Sequence, residues 1–332
     1  MKRFAYLLPL IAGTGWGCTG LFVRTLDDAG FDNITITVSR VVVMLLLIVL
    51  GMLVYDRSLF RVKKRDLPLL AVIGINGLVL MNICYNISIT TLSMSLASIL
   101  LCTAPVFVII IGRILFGEKI TVLRVACMLG ALLGCVLLSG IVESGELKWS
   151  VLGLAMGVAS SFTNAAYVIT LKEATDVRKI HPLTIQLYCT VIGLAVMLPF
   201  ADYGVMVDFV AERPLFASLF LLAHALVASL LPNLLYAIAF IYIDSSVGSI
   251  LASGAEPTAA MLCGLIVYHE VPTIFGIIGM VIVIVSMIVL SKSDGKTTDG
   301  LEKTAAEMDT AGEKIDTEVE KIDTEVEKEG LE

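Results

Sequence analysis

Long apolar stretches, separated by short polar connections, run along the chain as far as residue 290. Ten of them are predicted membrane spans, because a helix needs roughly 20 mostly apolar residues to cross the hydrocarbon core of a bilayer. All must be helical, since an open sheet would leave backbone groups unpaired in lipid. The pattern therefore predicts an all-α membrane protein whose ten transmembrane helices cover residues 4–23, 34–55, 67–89, 93–116, 121–140, 151–170, 183–201, 215–241, 246–268 and 272–290.

Composition agrees with a membrane protein, because 58% of the 332 residues are hydrophobic, more than a soluble globular domain needs. The net charge of −7 comes from the C-terminal tail: residues 291–332 carry −8, which leaves +1 on the remainder. Basic residues are scattered at helix ends and form no stripe, so no nucleic-acid partner is predicted.

Lysine and arginine concentrate on one side of the predicted bundle. The loop of residues 56–66 contains five of them, and the fourth and sixth connections add five more, whereas the opposite side has three. Since cytoplasmic loops of membrane proteins carry the excess of Lys and Arg, both termini are predicted to be cytoplasmic. The predicted location is the cell membrane, inner or plasma, which the chain crosses many times.

The two halves of the chain resemble each other weakly. Asn82-Ile-Cys-Tyr85 recurs as Asn233-Leu-Leu-Tyr236, 151 residues on, and Pro105 and Glu118 recur as Pro257 and Glu270, 152 residues on. Each half contains five predicted spans, an odd number, so the second copy must enter the membrane inverted. Inverted repeats are typical of secondary transporters, whose binding site lies near mid-membrane between the repeats. The predicted domains are therefore residues 4–140, residues 151–290 and an acidic cytoplasmic tail, residues 291–332, that is disordered or weakly helical.

Glu256 and Pro257 lie near the middle of the ninth span, about 15 Å from its start at 1.5 Å per residue. A carboxylate at that depth costs at least about 2.5 kcal/mol and usually has a task, although a protonated or hydrogen-bonded structural role is the alternative. Pro257 lacks an N–H, so we expect a kink and a free carbonyl acceptor at the same depth.

These motifs resemble the EamA family of the drug/metabolite transporter superfamily, with two tandem EamA-type repeats. The resemblance extends from about Tyr6 to Leu290 and rests on the motifs Gly15-Trp16-Gly17, Arg40, Pro105 to Gly117-Glu118, and Glu256-Pro257 to Glu270. It implies a carrier of amino acids, nucleosides, sugars or other small metabolites. The sixth span departs from the first, since Ser161 stands where the first repeat has Trp16.

Nine side chains within spans are candidates for substrate binding or coupling, because aromatic walls with a few polar groups suit a small amphipathic molecule. Arg40 could attract an anionic substrate group or pair with Glu256, and it could also extend to the membrane surface. For Asn and Tyr the alternative is hydrogen bonding between helices. The candidates are Glu256, Arg40, Trp16, Asn82, Tyr85, Asn164, Tyr167, Asn233 and Tyr236.

Four further residues are predicted to act in gating or as helix breaks: Pro105, Pro257, Glu118 and Glu270. The two glutamates would lie at opposite mouths of the inverted repeats, as two alternately opening gates require. The alternative is that each caps a helix end and faces water.

No cofactor, metal site or catalytic residue is predicted. The seven cysteines all lie in apolar stretches without disulfide or zinc spacing, and His224 has no ligand set around it, so a packing role with satisfied nitrogens is expected. Gly130 and Gly134, with Gly276 and Gly279, predict a tight helix pair either within one protomer or between two.

The chain is thus predicted to be a transporter and not an enzyme: a carrier of small organic metabolites such as amino-acid-like solutes, and an exporter working by alternating access. Its partners would be a small-molecule substrate, the lipid bilayer and a proton as coupling ion, and the chain would be a monomer or a homodimer. The alternatives are a multidrug efflux carrier and a non-transporting membrane scaffold acting through its tail, in which EKIDTEV occurs twice from Glu313.

Overall fold

Helices form the regular structure throughout the residues that this computed structural model describes, which are 2–92, 94–141, 150–269 and 272–292. No strand occurs in these ranges. The α-helices are α1 (Lys2–Ala5), α2 (Leu7–Gly17), α3 (Thr19–Asp28), α4 (Asn33–Tyr55), α5 (Leu67–Gly74), α6 (Met81–Thr91), α7 (Met94–Leu101), α8 (Ala104–Phe116), α9 (Val122–Leu138), α10 (Val151–Lys172), α11 (Pro182–Met197), α12 (Tyr203–Glu212), α13 (Pro214–Ala225), α14 (Leu231–Ala239), α15 (Ser245–Tyr268) and α16 (Ile274–Lys292).

Short segments with other hydrogen-bond spacing adjoin several of these helices. The π-helical segments Ile75–Leu80, Glu173–Val177 and Leu226–Leu230 continue α5 into α6, extend α10, and join α13 to α14. The 3-10 turns are Arg57–Phe60, Lys64–Asp66 and Leu198–Phe200. Long predicted spans are therefore composite, because π-helical turns have nearly helical dihedrals and interrupt only the hydrogen-bond register.

Among the described residues, eight helical stretches are long and apolar enough to cross a membrane, and α9, with 17 residues, is a shorter apolar helix. The predicted first span, residues 4–23, is not one regular helix, because it is divided among α1, α2 and α3 at Tyr6 and Cys18. Both of these residues keep right-handed helical dihedrals, so the chain direction changes little there. Ten spans and cytoplasmic termini stay predictions, as do the two repeat boundaries.

Helix α12 lies where a loop was expected between the seventh and eighth spans. Its first turn is capped by Asp202, whose side chain accepts hydrogen bonds from the N–H groups of Gly204 and Val205. One face of the helix, including Phe209, packs on a cluster around Leu26 and Phe31. Ten residues are too few for a span, which is why the search for apolar runs missed this surface helix.

Glycines bring two pairs of helices into close contact. A Cβ added at Gly13 of α2 would lie 2.5 Å from the backbone oxygen of Ala252 in α15. A Cβ at Gly134 of α9 would lie 2.7 Å from the oxygen of Gly279 in α16. The predicted tight pair around Gly134 and Gly279 is therefore formed within one chain.

The chain divides into a unit that ends at Ile288 and a second unit from Val289 onward. Of the second unit the structure describes residues 289–292, which end α16. The predicted acidic tail from residue 293 lies outside the described residues, and so does Glu270.

Candidate functional site

A cavity of about 310 Å³ lies between helices from both halves of the chain. Its wall contains residues of α2, α4, α6, α10, α14 and α15, together with the π-helical segments at 75–80 and 226–230. All nine side chains that the sequence suggested for binding or coupling line this cavity: Trp16, Arg40, Asn82, Tyr85, Asn164, Tyr167, Asn233, Tyr236 and Glu256. Their roles in binding stay predictions, but their convergence is a fact of the geometry.

The cavity contains two charged groups of opposite sign, the guanidinium of Arg40 and the carboxylate of Glu256. Within the described part of the chain, neither side chain forms an ion pair or a hydrogen bond, and Arg40 Nε is buried without a partner. A buried polar atom that lacks a partner costs about 1–3 kcal/mol. Both groups therefore face the cavity without a partner among the described residues.

Glycines position Trp16 in the cavity wall. A Cβ at Gly15 would lie 2.5 Å from Pro232 Cγ, and one at Gly17 would lie 2.8 Å from Ala259 Cβ. The two glycines thus let α2 pack directly on α14 and α15, and the indole between them points into the cavity. This close approach gives the Gly-Trp-Gly motif a physical reason.

Aromatic rings pack on one another in and behind the cavity wall. The Trp16 and Tyr236 rings meet edge to face with centroids 5.1 Å apart, and Tyr236 and Phe240 are 4.5 Å apart. Phe240 is fully buried, whereas Glu256 and Arg40 are partly exposed. We call the end of the protein at which α15 begins the basic end, because α4 also leads there into the Arg- and Lys-rich loop.

The polar residues of the cavity wall differ in whether their side chains hydrogen-bond within the protein. Asn82 donates from its amide to the oxygen of Leu78 at 2.7 Å, which commits part of its capacity to its own helix. Asn164 and Asn233 form no side-chain hydrogen bond among the described residues. Tyr167 lies over Gly77, where an added Cβ would be 2.5 Å from the ring. Interhelical hydrogen bonding, the alternative role for these residues, therefore finds no support in Asn164 or Asn233.

The two repeated prolines differ in their surroundings. Pro105 opens α8, and the chain is interrupted between α7 and α8 just before it. The oxygen of Leu100 at this interruption accepts hydrogen bonds from Thr103 Oγ1, at 2.6 Å, and from Ser161 Oγ. Ser161, which replaces the tryptophan of the first repeat, therefore satisfies the backbone at the break.

Pro257 does not break its helix, contrary to the expectation for a helix break, since α15 is one helix from Ser245 to Tyr268. The missing N–H leaves the oxygen of Ser253, one turn earlier, without its usual donor. Cys135 Sγ of α9 lies 3.9 Å from that oxygen and serves as a weak donor. The contact of Cys135 with this oxygen thus allows α15 to continue through Pro257 without an interruption.

Glu118 does not face water, so the alternative of a solvated cap does not hold for this residue, and its gating role stays a prediction. It is 7% exposed, and its carboxylate accepts hydrogen bonds from the N–H and hydroxyl groups of Ser245 and Ser246. It therefore caps the start of α15, a helix 127 residues further along the chain. The counterpart Glu270 lies outside the described residues.

His224 has the expected packing role, but its ring nitrogens lack the hydrogen bonds that were expected. Its ring stacks on Phe22 with centroids 4.9 Å apart and an interplanar angle of 11°. Both ring nitrogens are buried and have no hydrogen-bond partner in the part of the chain described.

Sequence reasoning missed several hydroxyl groups of the cavity wall, namely those of Thr19, Thr190, Ser229, Ser249 and Ser253. Serine and threonine are common in membrane helices, where they hydrogen-bond to their own backbone, so a single one carries little signal. The π-helical segments that border the cavity could have been suspected only from the structure.

Comparisons with known proteins identify relatives of both halves. The model of the EamA-like transporter family matches residues 3–140 and 151–292. An uncharacterized transporter of Archaeoglobus fulgidus is 29% identical over 141 residues, and this match covers 42% of the chain and 48% of the relative, so the chain spans about half of that protein's length. The uncharacterized transporter YdfC of Bacillus subtilis is 24% identical over 66% of the chain and 70% of its own length.

A probable terminal-alkyne amino-acid exporter of Streptantibioticus cattleyicolor is 23% identical, over 70% of the chain and 75% of its own length. A crystal structure of a further protein has the same fold, with a TM-score of 0.72 and 16% identity, and covers 88% of this chain and 98% of that one.

Proposed function

Because the chain belongs to the EamA-like transporter family, we propose that it exports small organic metabolites of the amino-acid kind by alternating access. Family membership and the relatives indicate a multi-pass membrane protein that is a transporter rather than an enzyme, and the cell membrane is consistent with this. The resemblance seen in the motifs is confirmed, including its two tandem segments. The solute, the direction of transport and the mechanism are what we propose.

The observation that supports an amino-acid-like solute is the pair of unpaired opposite charges in one cavity. An α-amino acid carries a carboxylate and an ammonium group. Arg40 would bind the carboxylate, since a guanidinium matches a carboxylate with two parallel hydrogen bonds. Glu256 would accept from the ammonium group, and each side chain would then gain a partner that the described residues of the chain do not provide.

The size of the cavity favours one small solute over many drugs. Ligand pockets typically measure about 300–1,000 Å³, and 310 Å³ lies at the small end of that range. Trp16, Tyr167 and Tyr236 offer an aromatic wall to an apolar side chain of the solute. Multidrug efflux, the alternative carrier function, would need more room than this state of the cavity provides.

Glu256 also offers a way to couple export to protons. A carboxylate cannot hold a proton and an ammonium group together, so the two ligands would compete for the same oxygen atoms. Such competition exchanges one proton for one solute, and a higher proton concentration outside would drive the solute outward. The Streptantibioticus relative, a probable exporter, supports this direction.

The test uses the full chain in proteoliposomes with a panel of α-amino acids, their deaminated acids and their decarboxylated amines. We expect α-amino acids alone to be transported. Arg40→Gln should lower flux at least tenfold, because it removes the carboxylate partner. Arg57→Gln, which removes the same charge from the exposed loop outside the cavity, should leave flux unchanged.

The coupling is tested in the same vesicles with Glu256→Gln under an imposed pH gradient. This isosteric change should abolish gradient-driven flux, since the amide cannot exchange a proton for an ammonium group. Wild-type rates that still follow the gradient in this variant would show that Glu256 is not the coupling group. Equal transport of amines lacking a carboxylate would rule out Arg40 as the carboxylate site.

A further inference from the structure

The short connection between α14 and α15 is held by three charged side chains from other parts of the chain. What we call the 240–246 turn consists of this connection, residues 240–244, and the first two residues of α15, at the basic end. Glu118, Arg124 and Lys172 all bind it, and each is 6–7% exposed. Three buried charges that converge on seven residues distinguish this turn from the other described connections.

Glu118 binds the far end of the turn. Its Oε1 accepts from the N–H and Oγ of Ser245 at 2.7 and 2.6 Å, and its Oε2 accepts from the N–H and Oγ of Ser246 at 3.2 and 2.6 Å. Carboxylates stabilise the first turn of a helix, because its N–H groups lack partners and carry partial positive charge. One side chain therefore supplies the cap that the helix does not supply for itself.

Arg124 binds the same region from α9. Its Nη2 lies 2.6 Å from Asp244 Oδ2, and its Nη1 donates to the oxygen of Lys119 at 2.9 Å and to Ser246 Oγ at 3.4 Å. Asp244 is the residue that precedes α15, and its carboxylate is turned to the arginine and makes no cap hydrogen bond. This ion pair explains why Glu118 has to cap the helix.

Lys172 binds the near end of the turn from α10. Its Nζ donates to the oxygens of Ile243 at 2.9 Å and of Phe240 at 3.4 Å, and it also lies 3.3 Å from Asp176 Oδ2. Both of these oxygens lie where α14 has ended, so they lack helical donors. The lysine therefore fixes the position of the Phe240 backbone.

The 240–246 turn carries Phe240, which supports the cavity wall from behind. Phe240 packs on Tyr236, which lines the cavity, and against Gly248, where an added Cβ would be 2.6 Å from the ring. A movement of the turn would therefore withdraw Phe240 from its contact with Tyr236 in the cavity wall. Such a movement must break the contacts of all three charged groups together.

We propose that Glu118, Arg124 and Lys172 form a latch on the 240–246 turn, and that release of this latch opens the cavity at the basic end. The inference rests on the proposed function, because such an opening is needed only by a carrier. Removing one partner of a buried charge leaves that charge uncompensated, so the three contacts stabilise the closed end strongly only while all are formed. Weakening any one should shift the population toward the open end.

The native thiol of Cys189 reports the opening without any solute. It lines the cavity and is 8% exposed, and its Sγ donates to the oxygen of Leu70 at 3.5 Å. The full chain in inside-out and right-side-out vesicles is treated with a membrane-impermeant maleimide. Peptide mass spectrometry then measures the labelling rate of Cys189 from each face.

We expect Glu118→Gln to raise Cys189 labelling at least tenfold from the face of the basic end and not from the other face. Ser246→Ala is the milder variant, because it removes one hydroxyl and keeps the backbone hydrogen bond, and it should raise the rate less. Glu173→Gln is the matched control, since it removes a carboxylate that pairs with Arg178 outside the latch. Its labelling rate should equal that of the wild type.

Unchanged labelling in folded Glu118→Gln and Ser246→Ala would overturn the latch, and so would an equal rise from both faces. If Ser246→Ala failed to fold, the contacts of the latch with the 240–246 turn would serve stability alone, and the proposed latch would be overturned as well. The outcome is separable from that of the proposed function. A labelling response without flux of any solute rejects the carrier for amino acids, whereas flux without a labelling response rejects the latch.

Discussion

At the scale of single residues, the cavity is distinguished by charged side chains that have no partner among the described residues. Arg40 and Glu256 both line the cavity without an ion pair or hydrogen bond within the described residues. Most buried polar groups in proteins are hydrogen-bonded, so the buried Arg40 Nε is an exception, and Glu256 provides an unpaired group of opposite charge in the same cavity. The same reasoning does not extend to every unpaired atom.

His224 is the exception, because it does not line the cavity and its ring is buried against Phe22. We expect His224→Phe to leave the unfolding temperature unchanged or to raise it, with a gain of up to about 1 kcal/mol. The substitution keeps a stacked ring and removes two buried nitrogens that lack partners, and such a change can be neutral or stabilising. Thermal unfolding of the detergent-solubilised protein measures it.

The comparison variant is Phe22→Leu, which removes the stacking partner and should lower the unfolding temperature. A marked loss of stability in His224→Phe would mean that the imidazole has a polar function that its surroundings do not reveal.

Single residues also show what the sequence could supply for the site. A charge or a tryptophan in an apolar run is conspicuous, so Arg40, Glu256 and Trp16 could be selected from the chain alone. Hydroxyl groups such as those of Ser249 and Ser253 could not be selected. Serine in a membrane helix commonly hydrogen-bonds to the backbone of its own helix, so the sequence does not distinguish a serine that lines a cavity from any other. Contacts such as that of Lys172 with the 240–246 turn depend on the tertiary arrangement.

At the scale of helices, close packing explains the position of the glycines in α9 and α16. Gly134 and Gly279 face each other at a distance that a side chain would not permit. Small residues allow membrane helices to approach closely, and dispersion contacts then stabilise the pair.

We expect Gly134→Leu to destabilise the protein by about 1–3 kcal/mol, because the larger side chain must displace α16. Leu133→Met is the control on the same helix, since Leu133 is exposed and should tolerate the change. Thermal unfolding compares the two variants. Equal stability of Gly134→Leu and the wild type would contradict an intrachain contact at this position.

Helix type was less predictable than helix position. The apolar runs marked the long spans, but periodicity does not distinguish an α-helical register from a π-helical one, so the segments at 75–80 and 226–230 were missed. Proline was an ambiguous signal as well. Pro105 follows an interruption and Pro257 lies within an intact helix, because neighbouring side chains satisfy the freed carbonyls differently.

At the scale of the whole molecule, family membership makes the membrane part the functional unit, and the acidic tail becomes a separate question. The family model ends at residue 292, and the two repeated EKIDTEV segments follow it. A membrane scaffold acting through this tail was the alternative that the sequence left open.

We expect a chain lacking residues 295–332 to keep wild-type flux of its solute in proteoliposomes, because every residue of the cavity precedes this segment. A chain in which the segment is replaced by a Gly-Ser sequence of equal length controls for the loss of length. Loss of flux from both chains at normal expression would show that the tail takes part in transport.

The cap on α15 also bears on how the molecule is made. Glu118 is synthesised 127 residues before Ser245, so its carboxylate has already been translated when the ninth span leaves the ribosome. N–H groups at the start of a helix are costly in a bilayer unless an acceptor meets them. The early half of the polypeptide therefore provides a docking point for the insertion of the later half, which ties the assembly of the protein to the order of its translation.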